Sequence, residues 1–287
     1  MRTTMSTTHR KLLLKAGLLA TAVTVALSGT TSAGADSAPE VTRAVKPAIL
    51  LVHGAFADAS SWDGVATRLR QDGYQVTMAA VGLRGLTDDV AYVHGVLESL
   101  PRRTVVVGHS YGGAVISGAA TGSTKAAALV YVAAFAPDAG ETVQELDQRF
   151  GGPTGKITTT RPYPLPTGMP GLPGGIPPVE LTIDPAKFRH YFAQDVPEQQ
   201  AANMADGQRP LALAALLQPA GPPAWKSLPS WYLLTREDRI IPPSGQRQMA
   251  ERMHARVVER WASHAVTVSQ PGTSAEVVEA AARQIHP

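Results

Sequence analysis

Thr104-Val105-Val106-Val107-Gly108-His109-Ser110-Tyr111-Gly112-Gly113-Ala114-Val115-Ile116 is the stretch on which the reading of this chain turns. Its first four residues are all β-branched, the pattern of a strand covered on both faces. A G-x-S-x-G turn follows at Gly108, Ser110 and Gly112, and residues 114–120 then read as a helix. Strand, sharp turn and helix in that order present a serine hydroxyl as a nucleophile at the top of a sheet. Such a turn strains the serine backbone and leaves room only for small neighbours, which Gly108, Gly112 and Gly113 supply. The bare motif arises by chance, and its plain alternative is a glycine-rich turn holding an ordinary serine. The flanking strand and helix decide for the nucleophile.

Outward from this turn, apolar runs alternate with helical patterns, as in βαβ units around a parallel sheet. Residues 48–52 form a continuous apolar run, and residues 61–71 a helix stopped by Asp72-Gly73. A strand over 74–79 leads to a helix capped by Thr87 and running to about residue 100. Its first turn carries Asp88 and Asp89, where the helix dipole favours acids. The fourth strand spans 126–133. After Pro137 the rhythm breaks: residues 151–178 hold 7 Gly and 8 Pro, too many turn-formers for a helix or an inner strand. Helical patterns over 185–193 and 197–217 follow. Alternation resumes with a strand at 231–234, a helix at 244–254, a strand at 256–259 and a last helix at 274–285. This predicts an α/β fold: a mostly parallel sheet of about six strands, helices on both faces, and a helical cap insert over roughly 138–224.

With 287 residues and 44% hydrophobic content, the chain can bury a full core. Arg2, Arg10, Lys11 and Lys15 stand in the first 35 residues without an acid; of 26 basic residues, 22 then remain beside 23 acidic ones. That balance, near −1, argues against a nucleic-acid surface. Residues 1–35 have the parts of an export signal: a basic start, an apolar run over 16–27, and Ala33-Gly34-Ala35 as a cleavage site. Twelve apolar residues fall short of the ~20 that span a bilayer, so an uncleaved anchor is the weaker reading. The expected mature domain is 36–287, exported and without a stable membrane anchor. Arg10-Lys11 resembles a twin-arginine signal with its second arginine replaced, which leaves the export route open. The chain has no cysteine, which excludes disulfides, a thiol nucleophile and cysteine-based metal sites.

A serine needs a base to take its proton and a third group to hold that base. In this architecture the order is serine, acid, histidine. His264 lies in a loop beyond the last strand and is the expected base. His53 and His109 sit inside loop motifs, His94 precedes the serine, His190 lies in the insert, His254 on a helix and His286 at the end. Asp238 directly follows the strand at 231–234 and is the expected acid, with Glu237 and Asp138 as alternatives. The oxyanion of a tetrahedral intermediate needs amide donors, expected from Tyr111 and from Ala55, with Phe56 second to Ala55. Phe56 and Trp62 suit a pocket wall and core packing equally, and Phe192 is the candidate wall from the insert. Among Phe188, Tyr191, Phe192, Met204, Leu211, Leu213, Leu216 and Leu217 there is no charge, which favours an apolar acyl or alcohol group.

Leu51-Val52-His53-Gly54-Ala55-Phe56, Gly108-His109-Ser110-Tyr111-Gly112-Gly113, Glu237-Asp238-Arg239-Ile240-Ile241-Pro242-Pro243 and the stretch from Ser263-His264 to Pro271 together resemble the α/β-hydrolase superfamily. They are most similar to its plant methyl-esterase and hydroxynitrile-lyase branch and to bacterial esterases like it. The resemblance implies Ser110, Asp238 and His264 as a catalytic set, an oxyanion amide at Ala55, and no metal or cofactor. In the lyases of that branch a hydroxyl residue stands at the position of Gly54 and a lysine follows the base. Here Gly54 and Ala265 can fill neither role, so hydrolysis is implied. The expectation is a secreted serine hydrolase acting on a small carboxylic ester. Other chemistry on the same scaffold (a lyase, a perhydrolase, a carbon–carbon or amide hydrolase) and a non-catalytic binding protein are the alternatives. Nothing in the sequence sets an oligomeric state.

Overall fold

Residues 45–165, 167–168 and 171–285 are described by a computed structural model; the expected signal at 1–35 lies outside them, as does His286. Strands in chain order are β1 (Ala48–Val52), β2 (Gln75–Ala79), β3 (Thr104–His109), β4 (Ala126–Val132), β5 (Thr158–Pro162), β6 (Val179–Ile183), β7 (Leu211–Ala212), β8 (Ser230–Thr235) and β9 (Arg256–Arg260). The helices of most consequence for the site are α1 (Asp63–Gln71), α2 (Leu86–Ser99), α3 (Tyr111–Ala119) and α4 (Val143–Phe150).

Six strands pair in the order β2-β1-β3-β4-β8-β9, every neighbour parallel. β1 lies between β2 and β3, with Leu51 opposite Met78 on one side and Val107 on the other. Side chains of a strand alternate between faces, so the uninterrupted apolar runs feed two cores. Ile49, Leu51, Val105 and Val107 pack on one face with Val65 and Leu69 of α1 and with Val278 of the C-terminal helix Pro271–Gln284. Leu50, Val52 and Val106 face the other way, onto Val93 and Leu97 of α2 and Val115 and Ile116 of α3. Each large apolar side chain so buried contributes about 1.5–3 kcal/mol. β1, β2, α1 and α2 stand within two residues of their expected places, whereas α3 begins at Tyr111, three residues before the expected start.

The insert departs from a purely helical cap. β5, β6 and β7 form a three-stranded antiparallel sheet, with Leu181 opposite both Thr160 and Leu211. The helix expected over 197–217 is instead Glu198–Asp206, then β7, then Leu213–Leu217. Gly207 and Pro210 interrupt it, because proline cannot donate to the helix ladder. The glycine- and proline-rich stretch also holds an exposed edge strand, β5. A proline at its end is tolerated there because no further strand needs its N–H. α2 begins at Leu86 without a side-chain cap, so Thr87 lies inside the helix and its N–H donates to Gln218 Oε1.

Candidate active site

Ser110 sits where β3 ends and α3 begins, at φ 53° and ψ −123°, a region that side chains other than glycine rarely occupy. Main-chain bonds hold it there: its N–H donates to Val132 O at 3.2 Å, and its carbonyl accepts from Phe135 N at 3.1 Å. The neighbouring glycines are sterically required. A Cβ on Gly108 would stand 2.5 Å from Gly112 O, and one on Gly112 2.5 Å from Val52 O.

Two side chains from loops far along the chain meet the serine. His264, in the loop after β9, places Nε2 2.8 Å from Ser110 Oγ and Nδ1 2.8 Å from Asp238 Oδ2. A carboxylate oxygen accepts, so Nδ1 carries the proton and Nε2 is free to accept from the serine. Asp238, after β8, is fully tied down. Its Oδ1 accepts from the amides of Ile240 and Ile241, and its Oδ2 from Thr235 Oγ1 and Gln246 Nε2 as well as the imidazole. The two alternative acids lie elsewhere: Glu237 is exposed, and Asp138 pairs with Lys226 at 2.5 Å.

Two buried histidines brace this arrangement. His109 Nε2–H donates to His264 O at 2.8 Å, and burial pushes its pKa down to about 3, so it remains a neutral donor. His53 Nε2 accepts from Val81 N at 3.0 Å, so its Nδ1–H donates to Gly54 O at 2.9 Å. Burial holds His53 below its usual value, which keeps that neutral tautomer. In a trans peptide the next N–H points opposite the carbonyl. With Gly54 O anchored to His53, the Ala55 N–H is turned away from that bond.

Ala55 and Tyr111 line a cavity of about 300 Å³ together with Ser110 and His264. Among the described residues neither amide N–H has a hydrogen-bond partner, although both residues are buried. A buried donor without a partner is rare and invites a ligand oxygen. The cavity walls near the serine are Phe56, Phe135, Phe192 and Ile240, and Leu181, Leu211, Leu213 and Leu216 close it from the insert. Gln144, Asp147, Thr154 and Lys156 also line it. Phe192 lays its ring against His264, with centroids 4.8 Å apart at 76°.

Trp62 is a correction. It does not reach the cavity; it is fully buried on the α1 side of the sheet and meets His109 edge-on at 6.3 Å. Asp58 caps the short 3₁₀ turn Ala59–Trp62 by accepting from Ser60 N, and the chain leaves that turn into the core. Of the apolar insert residues, Phe192, Leu211, Leu213 and Leu216 line the cavity, while Phe188 is buried behind Phe192, its ring 4.9 Å away.

Asp89 is a site-side residue that sequence reasoning missed. It is not a solvated helix-start acid but a buried one, accepting from Leu83 N at 3.1 Å and from Tyr111 Oη at 2.8 Å. Burial raises its carboxyl to about 6. The signal was present: Leu86, Asp89, Val93 and Leu97 follow helical spacing, and all are buried, which places Asp89 on the apolar stripe of α2.

Comparison with known proteins shows the family. A family model described as the alpha/beta hydrolase family matches residues 49–277. The alpha/beta hydrolase nvfD of Aspergillus novofumigatus (strain IBT 16806) is 25% identical over 264 residues, covering 83% of this chain and 97% of that protein. The putative chloroplastic methylesterase 11 of Arabidopsis thaliana is 24% identical over 240 residues, covering 77% of this chain but only 60% of that protein. The crystal structure of polyneuridine aldehyde esterase is similar at a TM-score of 0.70 and 19% identity, over 82% of this chain and 99% of that one. That last likeness is one of fold.

Proposed function

The chain belongs to the α/β hydrolase family, and from that premise we propose that it hydrolyses carboxylic esters through an acyl-enzyme on Ser110. One observation carries the reading: Ser110 Oγ, His264 and Asp238 form a continuous chain of two 2.8 Å hydrogen bonds beside two unpartnered amides. In the proposed cycle Ser110 Oγ attacks the ester carbonyl as His264 Nε2 takes its proton. The Ala55 and Tyr111 amides donate to the oxyanion, where such donors act most strongly. The tetrahedral intermediate collapses, the C–O bond to the alcohol breaks, and the alcohol leaves with the proton from His264. Water then repeats the sequence on the acyl-enzyme, giving the acid and free serine. Asp238 keeps the imidazole in the required tautomer throughout.

The apolar walls favour an ester whose cavity-bound group is a hydrocarbon, since few polar groups there could replace lost hydration. Hydrolysis is favoured over cyanohydrin cleavage for a steric reason. A Cβ on Gly54 would come within 2.7 Å of Ser110 Cβ, so no hydroxyl side chain fits at that position, and Ala265 after the base carries no charge. Offered p-nitrophenyl acetate and butyrate beside mandelonitrile, the purified protein should release p-nitrophenolate and leave cyanide at its spontaneous rate. Cyanide release without ester turnover would reverse the assignment. We further propose export with removal of residues 1–35; the secreted protein should then begin at Asp36, and recovery of intact Met1 would contradict this.

A further inference from the structure

His264 is held from two sides, and one of them is the insert. On the side of β3, His109 donates to the His264 carbonyl. On the insert side, the residues flanking the base are tied to a short segment that follows the helix Pro185–Phe192. Ala265 N–H donates to Phe192 O at 2.9 Å, and Ser263 N–H donates to Asp195 Oδ2 at 2.9 Å. The same Asp195 oxygen accepts from Ser269 Oγ at 2.9 Å, so one carboxylate spans the start of the base loop and the short helix Val266–Ser269 after it. Gln194 Nε2 donates to Glu237 O at 2.6 Å, which links the segment to the residue before Asp238. Phe192 adds its ring, edge-on against the imidazole. Phe192, Gln194 and Asp195 thus supply three hydrogen-bonding groups and one aromatic contact to the two loops that carry the base and the acid.

We infer that residues 192–195 are a brace that positions His264 against Ser110, with Asp195 as its principal positioning residue. The inference rests on His264 acting as the base. Asp195 touches neither Ser110 nor the cavity, so its influence runs through the backbone of the base loop. Because two of the links end on the main-chain amides of Ser263 and Ala265, on either side of the base, a shift of this segment shifts the imidazole with it. The insert is therefore anchored at this edge.

Asp195 is exposed, so truncating it removes no core packing. Asp195→Ala should lower kcat about 10- to 100-fold, the cost of a misplaced catalytic group, with KM within about twofold. Labelling of Ser110 by a fluorophosphonate should slow in parallel, since it depends on the base and on no ester substrate. Asp195→Asn keeps an acceptor oxygen for Ser263 and Ser269 and should restore most of both rates. An Asp195→Ala protein with unchanged kcat and labelling would overturn the brace, as would equal losses in the Ala and Asn variants accompanied by equal losses of melting temperature. Wild-type protein that neither labels nor turns over would instead strike the catalytic reading on which the brace depends.

Discussion

The floor and the roof of the cavity are held by different kinds of interaction. At the floor, Ser110, His264 and Asp238 are fixed by hydrogen bonds to groups on β4, β8, the loops that follow the parallel strands and, at the base loop, residues 192–195 of the insert. At the roof, Leu181, Leu211, Leu213 and Leu216 belong to an insert whose β6–β7 pairing is two residues long, and they are placed largely by apolar packing. One main-chain bond, Ala212 N–H to Leu83 O at 2.8 Å, ties that roof to the loop before α2. Directional bonds set distances between reacting atoms, whereas packing sets volume. The floor should govern rate and the roof should govern which ester fits.

Substitutions can break or sharpen this division. At the floor, Ser110→Ala should cost on the order of six decades in kcat, leaving the residual rate of binding and oxyanion stabilisation. Asp238→Asn should cost roughly three to four decades through the wrong tautomer of His264, while Glu237→Gln, an exposed neighbour, should stay within about twofold. Steady-state kinetics on p-nitrophenyl butyrate measure all three, and a Glu237 variant as damaged as the Asp238 variant would move the acid. At the roof, Leu213→Ala or Leu216→Ala should shift the ratio of kcat/KM for octanoate over butyrate by about tenfold and leave acetate nearly untouched. Equal losses on every ester would show that the roof serves the chemistry after all.

A separate effect, on stability rather than on rate, belongs to Asp89, which meets both regions through Tyr111 and Leu83. Its carboxyl binds a proton near pH 6 in the fold, against 3.8 for an unperturbed aspartate. Between those values the folded chain holds more protons, so this group stabilises the fold as pH falls from about 6 to 4, by up to about 3 kcal/mol. Glu141 acts oppositely: held at about 2 by Arg252 and Arg149 against an ordinary 4.5, it loses its contribution as pH falls below that ordinary range. Buried neutral His109 and His53 destabilise the fold as pH falls below about 6.5, and Asp89 offsets part of that loss, so melting temperature should fall more steeply from pH 6 to pH 4 in Asp89→Asn than in the wild-type protein. An unchanged slope in that variant would remove Asp89 from the account.

The floor was legible in the sequence because its demands are local. A strained serine requires Gly108 and Gly112, and an acid after a strand narrows the choice to Asp238, Glu237 and Asp138, among which the hydrogen bond to His264 selects Asp238. Trp62 was not legible, since a large apolar side chain satisfies a core and a pocket wall alike. Nor was the roof: Leu211 meets Leu181 across a pairing between segments thirty positions apart, which no local periodicity records. The helix expected through Gly207 and Pro210 shows apolar spacing outweighing two breakers that should have stopped it. Asp89 failed for a narrower reason, because a helix-start position explains an acid whether it faces water or the core.

Covalent capture of Ser110 tests the central claim most directly. Treated with a fluorophosphonate, the protein should gain one adduct, mapped by mass spectrometry to the peptide carrying Ser110, and lose esterase activity in step with it. The Ser110→Ala protein should gain none. Ester turnover that persists once Ser110 is fully modified, or inactivation with the adduct on another residue, would contradict the account.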